Sequence, residues 1–150
     1  MTRQADALKL PHVLLPVSEP YEKSYEDQLK QLQDNYEIEV LISGDIDEVA
    51  GHASWIVDRS RLLNLKVIRP LWKCSREQLA QEILARNIRA KITWINHPAI
   101  PSRLKGRILD QNLIDELKEI ANHTGIDLCG ENGEYHTIVI SAPIFGNLSL

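Results

Sequence analysis

Cysteine is scarce in this chain. Its 150 residues hold two, Cys74 and Cys129, far apart and without C-x-x-C spacing, which indicates neither a disulfide framework nor a cysteine metal site. Long apolar runs are missing as well: no stretch approaches the roughly 18 residues of a membrane span. The opening residues, Met1 to Leu8, lack the apolar segment of a signal peptide, so the expected location is the cytoplasm. Positive charge is not in excess either. Charged residues are 25% of the chain, mixed in sign, with a formal net charge of -4, and the footprint of a general nucleic-acid binder is absent. No fixed-period repeat, charged tail or low-complexity tract marks a linker.

What is present is the patterning of an ordinary α/β domain, with 43% apolar residues to build a core. His12 to Val17 reads as a short buried strand ended by Pro16 and Pro20. Tyr25, Leu29, Leu32 and Tyr36 fall at helical spacing behind Ser24 as N-cap. Glu37 to Ser43 is the next strand, stopped by Gly44-Asp45, and Ala53, Ile56, Ser60 and Leu63 continue as a helix. Val67-Ile68 makes a short strand before the turn Pro70-Leu71-Trp72. Ser75-Arg76-Glu77-Gln78 then has the spacing of a capping box. Arg89 to Asn96 reads as a further strand. Leu113, Ile114, Leu117, Ile120 and Ala121 form a helical stripe closed by Gly125 as a C-cap signal. Strands separated by helices predict βαβ units and a parallel sheet covered on both faces, with ligands at the carboxyl ends of strands. Gly44-Asp45 falls at such an end.

Candidate chemistry concentrates in Gly130-Glu131-Asn132-Gly133-Glu134-Tyr135-His136-Thr137, where two carboxylates, an imidazole and two glycines share one turn and the strand it opens. A structural turn needs the glycines but has no use for both Glu131 and Glu134. If the strand starts near Glu134, then Glu134 and His136 point to one face, where they can hold an amine, bind a metal or pass a proton. Elsewhere the alternatives stay open. Gly44-Asp45 is either a site or a strand-ending turn whose aspartate caps a helix. His52 and Trp55 are either ligands or a packing face, and Lys105-Gly106-Arg107 either meets a phosphate or is a solvated turn.

Taken in order, Gly44-Asp45-Ile46, His52, Trp55, Pro70-Leu71-Trp72, Leu104 to Asp110, Cys129 to Thr137 and Ala142-Pro143-Ile144-Phe145 resemble the diphthine–ammonia ligase family. The resemblance implies a truncated HUP-like, Rossmann-like domain over residues 1–95 and an acceptor-binding region over 96–150. It implies an ATP-dependent, AMP-forming amidation of diphthine, a modified histidine on elongation factor 2, with ATP as cofactor and Mg2+ as its candidate companion. Under it Glu131, Glu134 and His136 become the catalytic candidates. Gly130, Asn132, Gly133, Tyr135 and Thr137, with Gly44, Asp45, His52 and Trp55, become substrate-binding candidates, and no metal ligands are assigned. The family's serine-glycine-glycine-lysine-aspartate-serine phosphate loop has no counterpart here, since no Gly-Gly pair occurs. About sixty residues of the family pattern, the size of two βα units, are therefore missing. The expected partners are a phosphate-loop-bearing chain or a second copy, with elongation factor 2 as acceptor and no nucleic acid or membrane. The alternatives are a non-catalytic acceptor-binding module and, last, a metal-assisted hydrolase.

Overall fold

The structure, a computed structural model, describes residues 2–48, 51–52 and 55–145. In chain order its elements are α1 (Thr2–Leu8), α2 (Tyr21–Tyr36), β1 (Val40–Ile42), α3 (Trp55–Arg61), β2 (Lys66–Ile68), α4 (Arg76–Ala85), β3 (Arg89–Ile95), α5 (Gln111–Thr124) and β4 (Tyr135–Ser141), with single 3-10 turns at Ser102–Leu104 and Pro143–Phe145. They form two compact units. One is Val13–Cys74, and the other joins Met1–His12 to Ser75–Leu150. The units part at Cys74/Ser75, and β3, which pairs with β4, lies with the C-terminal elements.

In the first unit, β1 and β2 pair in parallel from Val40↔Lys66 to Ile42↔Ile68. Helix α2 is held to α3 by Arg59 Nη1 on Glu26 Oε1 at 3.0 Å, and Gln33 Nε2 donates to the Leu63 carbonyl at 3.1 Å. The core here is thin, built on Leu29, Ile46 and Leu65 with Ser60, whose hydroxyl donates to the Ile56 carbonyl. Two sequence expectations are corrected. His12 to Val17 is an irregular exposed segment, with Leu14 79% exposed, because no strand pairs with it and a strand without a partner leaves its backbone unsatisfied. Ser24 lies within α2, which starts behind Pro20, and its hydroxyl accepts from the Ser18 N–H. The expected helix start at Ala53 lies outside the described residues.

The second unit carries the main core. Ser75 caps α4 by accepting from the Gln78 N–H, Asp110 caps α5 through Leu113 N at 2.7 Å, and Gly125 closes α5 in the left-handed region. Helix α5 lays Leu113, Ile114 and Leu117 against Ala90 and Ile92 of β3 and against Leu104. Strand β3 pairs antiparallel with β4, and on its other side it bonds residues 106–109, with Ile92 N on the Arg107 carbonyl and Leu109 N on the Ala90 carbonyl. The parallel pairing expected for β3 is therefore corrected. Residues 106–109 already reverse the chain, so the connection through α5 brings β4 back in their direction, antiparallel to the strand between them. A second, small cluster of Ala7, Ala142 and Phe145 docks α1 on the final turn.

The result is an α/β fold with a short parallel pair and an antiparallel sheet, compatible with a truncated Rossmann-like arrangement. No helix among the described residues is long and apolar enough to cross a membrane. Because Leu117 is 1% exposed at the centre of the core, Leu117→Ala should lower stability by about 2 to 5 kcal/mol. Leu14→Ala should change it by less than about 0.5 kcal/mol, and denaturant titration of both variants checks the contrast.

Candidate functional site

The loop between α5 and β4 is built around a buried carboxylate. Glu134, 6% exposed, lies at the end of the loop with its side chain turned inward. Its Oε1 accepts from the Asp127 N–H at 2.7 Å and from Asn132 Nδ2 at 3.2 Å, and its Oε2 accepts from the Asn132 N–H at 3.0 Å. Burial alone would raise its pKa. The backbone and amide donors around the charge outweigh that and hold the carboxyl below its ordinary value. The Glu134 carbonyl meanwhile accepts from the N–H groups of Asn96 and His97, which fixes the loop to the end of β3.

A second carboxylate completes the scaffold. Asp127 Oδ1 accepts from the Cys129 N–H at 2.7 Å, the aspartate turn that opens the loop, and Oδ2 accepts from Arg76 Nε at 2.7 Å at the start of α4. The Tyr135 hydroxyl donates to the Leu128 carbonyl at 2.5 Å, and burial pushes its pKa up, so it stays protonated. Gly130 sits at φ 76°, and a Cβ there would stand 2.7 Å from the Tyr135 carbonyl oxygen. No other residue fits that approach. Cys129 donates to the Arg76 carbonyl, and burial followed by the Asp127 charge pushes its thiol up to about 11. A thiol so protonated is not a nucleophile at neutral pH.

Strand β4 begins at Tyr135, not at Glu134, and this overturns the shared face expected for Glu134 and His136. The carboxylate goes into the loop, whereas the imidazole is exposed and stacks on Trp94 with ring centroids 5.0 Å apart and planes 14° apart. Glu131 and Asn132 are exposed on the loop surface. Thr137, with Cys129 and Tyr135, lines a cavity of about 60 Å3 beneath the loop, and an open groove of about 350 Å3 beside it is lined by Arg76, Lys118, Asn122, Asp127 and Asn132. Among the described residues no group of three His, Cys, Asp or Glu side chains is placed to hold a metal.

In the other unit the end of β1 behaves as an ordered turn. The Asp45 N–H bonds the Ser43 hydroxyl, and Gly44 is exposed. Tyr25 packs edge-on to Trp55 at 4.8 Å, and its pKa is raised by burial and then by the nearby Asp45 charge. Asp45 and Trp55 thus gather around Tyr25, a residue the sequence reading placed only on a helix stripe. His52 is exposed, and no contact places it in that group. Lys105-Gly106-Arg107 is a turn whose arginine pairs with Glu116. Asp127, Arg76 and Trp94 were also missed. The Asp-x-Cys turn spacing was the available signal for the first, and nothing local marks the other two.

The fold and loop define an α/β protein whose larger unit carries the diphthamide synthase C-terminal domain, the family description that matches residues 75–148. The chain is 36% identical over 84 residues to the diphthine–ammonia ligase of Bos taurus, covering 55% of this chain and 31% of that one, and 34% identical over 84 residues to that of Homo sapiens. To the Mus musculus diphthine–ammonia ligase it is 32% identical over 120 residues, 78% of this chain and 43% of the relative. Residues 75–148 belong to the family of the diphthamide synthase C-terminal domain, and the chain is similar to diphthine–ammonia ligases. The matched region spans less than half the length of these curated relatives.

Removing the Glu134 carboxylate leaves buried donors unpaired, so Glu134→Ala should cost about 1 to 3 kcal/mol of stability. The pH dependence follows from the lowered folded pKa. The contribution is present above the ordinary value near 4.5 and is lost as pH falls through the lower folded value. Thermal melting from neutral to acid pH should therefore show the wild type converging on Glu134→Gln at low pH. A gap that widens on acidification contradicts the assignment.

Proposed function

We propose that this chain supplies the acceptor-recognition part of a diphthine–ammonia ligase, acting in the ATP-dependent amidation of diphthine on elongation factor 2. The observation that carries the reading is the loop itself: Glu134 and Asp127 spend their carboxylates, and Asn132 its N–H and side-chain amide, on holding it rigid, and Glu131 and His136 are exposed beside them. A site held this way keeps its geometry without help from the ligand. In this reading Glu131 receives the cationic part of the acceptor side chain, and Asn132 and the loop backbone orient it. His136 takes up the proton that ammonia sheds as the new C–N bond forms and the bond from the carboxyl carbon to its activated oxygen breaks. Glu134 and Gly130 act as positioning residues, and Thr137 and Tyr135 line the floor.

ATP does not fit the residues present. The chain has no Gly-Gly pair, and α2, α4 and α5 begin behind Pro20, Ser75 and Asp110, none of them in a glycine-rich loop. Activation of the carboxylate is therefore assigned to polypeptide outside these 150 residues. A two-stranded parallel sheet supports this. Such sheets are stable when both faces are covered, yet β1 leaves Ile42 68% exposed, with Val40 and Ile68 also open. Gly44, Asp45 and Trp55 at the end of β1 are the proposed meeting point with the missing phosphate loop. The same gap favours, as second reading, a binding module that recognises the acceptor without turning it over. The metal-assisted hydrolase finds no support in the placement of Glu131, Glu134 and His136.

The test is reconstitution with a polypeptide carrying the phosphate loop, using elongation factor 2 that bears diphthine. Amidation is expected only when both polypeptides are present. Glu131→Ala and His136→Ala should each lower the rate at least about tenfold with melting temperatures close to wild type. Turnover by the chain alone, or full activity in both variants, contradicts the assignment, and acceptor binding without turnover in the reconstituted mixture leaves the binding-module reading.

A further inference from the structure

The antiparallel sheet has an outer face that its alternation does not explain. Ala90 and Ile92 point into the core, so strict alternation would send Trp94 inward with them. The register shifts between Ile92 and Trp94: Ile92 pairs with Thr137 and Trp94 with His136, leaving Thr93 as the extra residue of a bulge, its hydroxyl bonded to the His136 carbonyl. The bulge turns a tryptophan out of the core and leaves it 42% exposed, stacked on His136. Bulges re-aim side chains in this way beside functional sites.

Directly paired residues share a face. Lys91 pairs with Ile138 on one side and with Ile108 on the other, and Ile138 is 40% exposed. Arg89 extends the strand beyond them and is exposed. An antiparallel sheet with one solvated face is ordinarily polar on that face. This one instead presents Trp94, His136, Ile138 and Ile108 with two cations and no carboxylate, in a chain whose net charge is -4. Neither cation is paired with a carboxylate among the described residues. An exposed tryptophan flanked by basic and aliphatic side chains has the composition of an interface centre.

We infer that this outer face docks the protein bearing the acceptor side chain, through an acidic and partly apolar surface of that protein, with Trp94 as the anchor and Lys91 and Arg89 setting charge complementarity. The inference rests on the acceptor-recognition reading above. An acceptor that is one side chain of a folded protein can reach Glu131 and His136 only if its surroundings are also seated, and this face runs on from the loop without a break, with His136 common to both. The basic sign of the face matches an acidic surface and would steer the encounter.

The experiment measures binding of the full chain to purified elongation factor 2 bearing diphthine, at two salt concentrations, with Trp94→Ala and Lys91→Glu as separate variants and circular dichroism and melting as fold controls. Lys91→Glu covers the case in which Trp94→Ala loses its fold. Each folded variant is expected to raise Kd by about tenfold or more, and Lys91→Glu to flatten the salt dependence. Binding unchanged in folded variants overturns the docking face while leaving the acceptor reading intact. No binding by wild type removes that reading and the docking with it, and wild type that retains RNA in place of the factor overturns both.

Discussion

One carboxylate organises the end of this molecule. Glu134 is out of water, charged, and bonded to the N–H groups of Asp127 and Asn132 and to the Asn132 amide. A charge in that position is tolerable only because the donors converge on it. Two of the three donors are backbone N–H groups, so the loop conformation and the ionised state depend on each other. Everything the loop presents, from Glu131 to His136, takes its position from that mutual dependence. The Asp127 turn and its link to Arg76 tie the same loop to α4, and the Glu134 carbonyl ties it to the end of β3.

This division of labour changes how an acidic pair in a short loop is read. The block from Gly130 to Thr137 holds two glutamates three residues apart. Equivalent on paper, they have opposite environments, one inside a cage of amides and one on the surface. Charge inside such a cage is structural chemistry, whereas Glu131 is exposed at the surface. Trp94 and His136 make the complementary case, two rings whose mutual stacking leaves both in reach of solvent.

Much of this was legible in the sequence where the signal is local. Ser75 caps its helix, Gly125 closes α5, and the α5 stripe of Leu113, Ile114 and Leu117 became the centre of the core. The distinctive loop block led to the family. What was not legible depends on partners that local pattern cannot show. His12 to Val17 has a strand's composition but no neighbour to bond. Strand β3 looked like one more parallel strand until residues 106–109 folded back along it. The outward turn of Trp94 comes from a single extra residue, Thr93, which no periodicity announces. Glu134 precedes the first residue of β4, where strand alternation does not set its direction, and the N–H groups of Asp127 and Asn132 hold its carboxylate inward.

The larger unit is discontinuous, since Met1–His12 packs with Ser75–Leu150 across the Val13–Cys74 insertion. Helix α1 lies far in sequence from its docking surface, Ala142 and Phe145, and Gln4 Nε2 reaches the Val139 carbonyl across a separation of 135 residues. Seven residues of isolated helix do not hold together in water, so α1 owes its order to that distant surface. The smaller unit is one continuous stretch, Val13–Cys74. Closure of the larger unit thus depends on contacts between segments far apart in sequence, and the smaller unit lies between them in the chain.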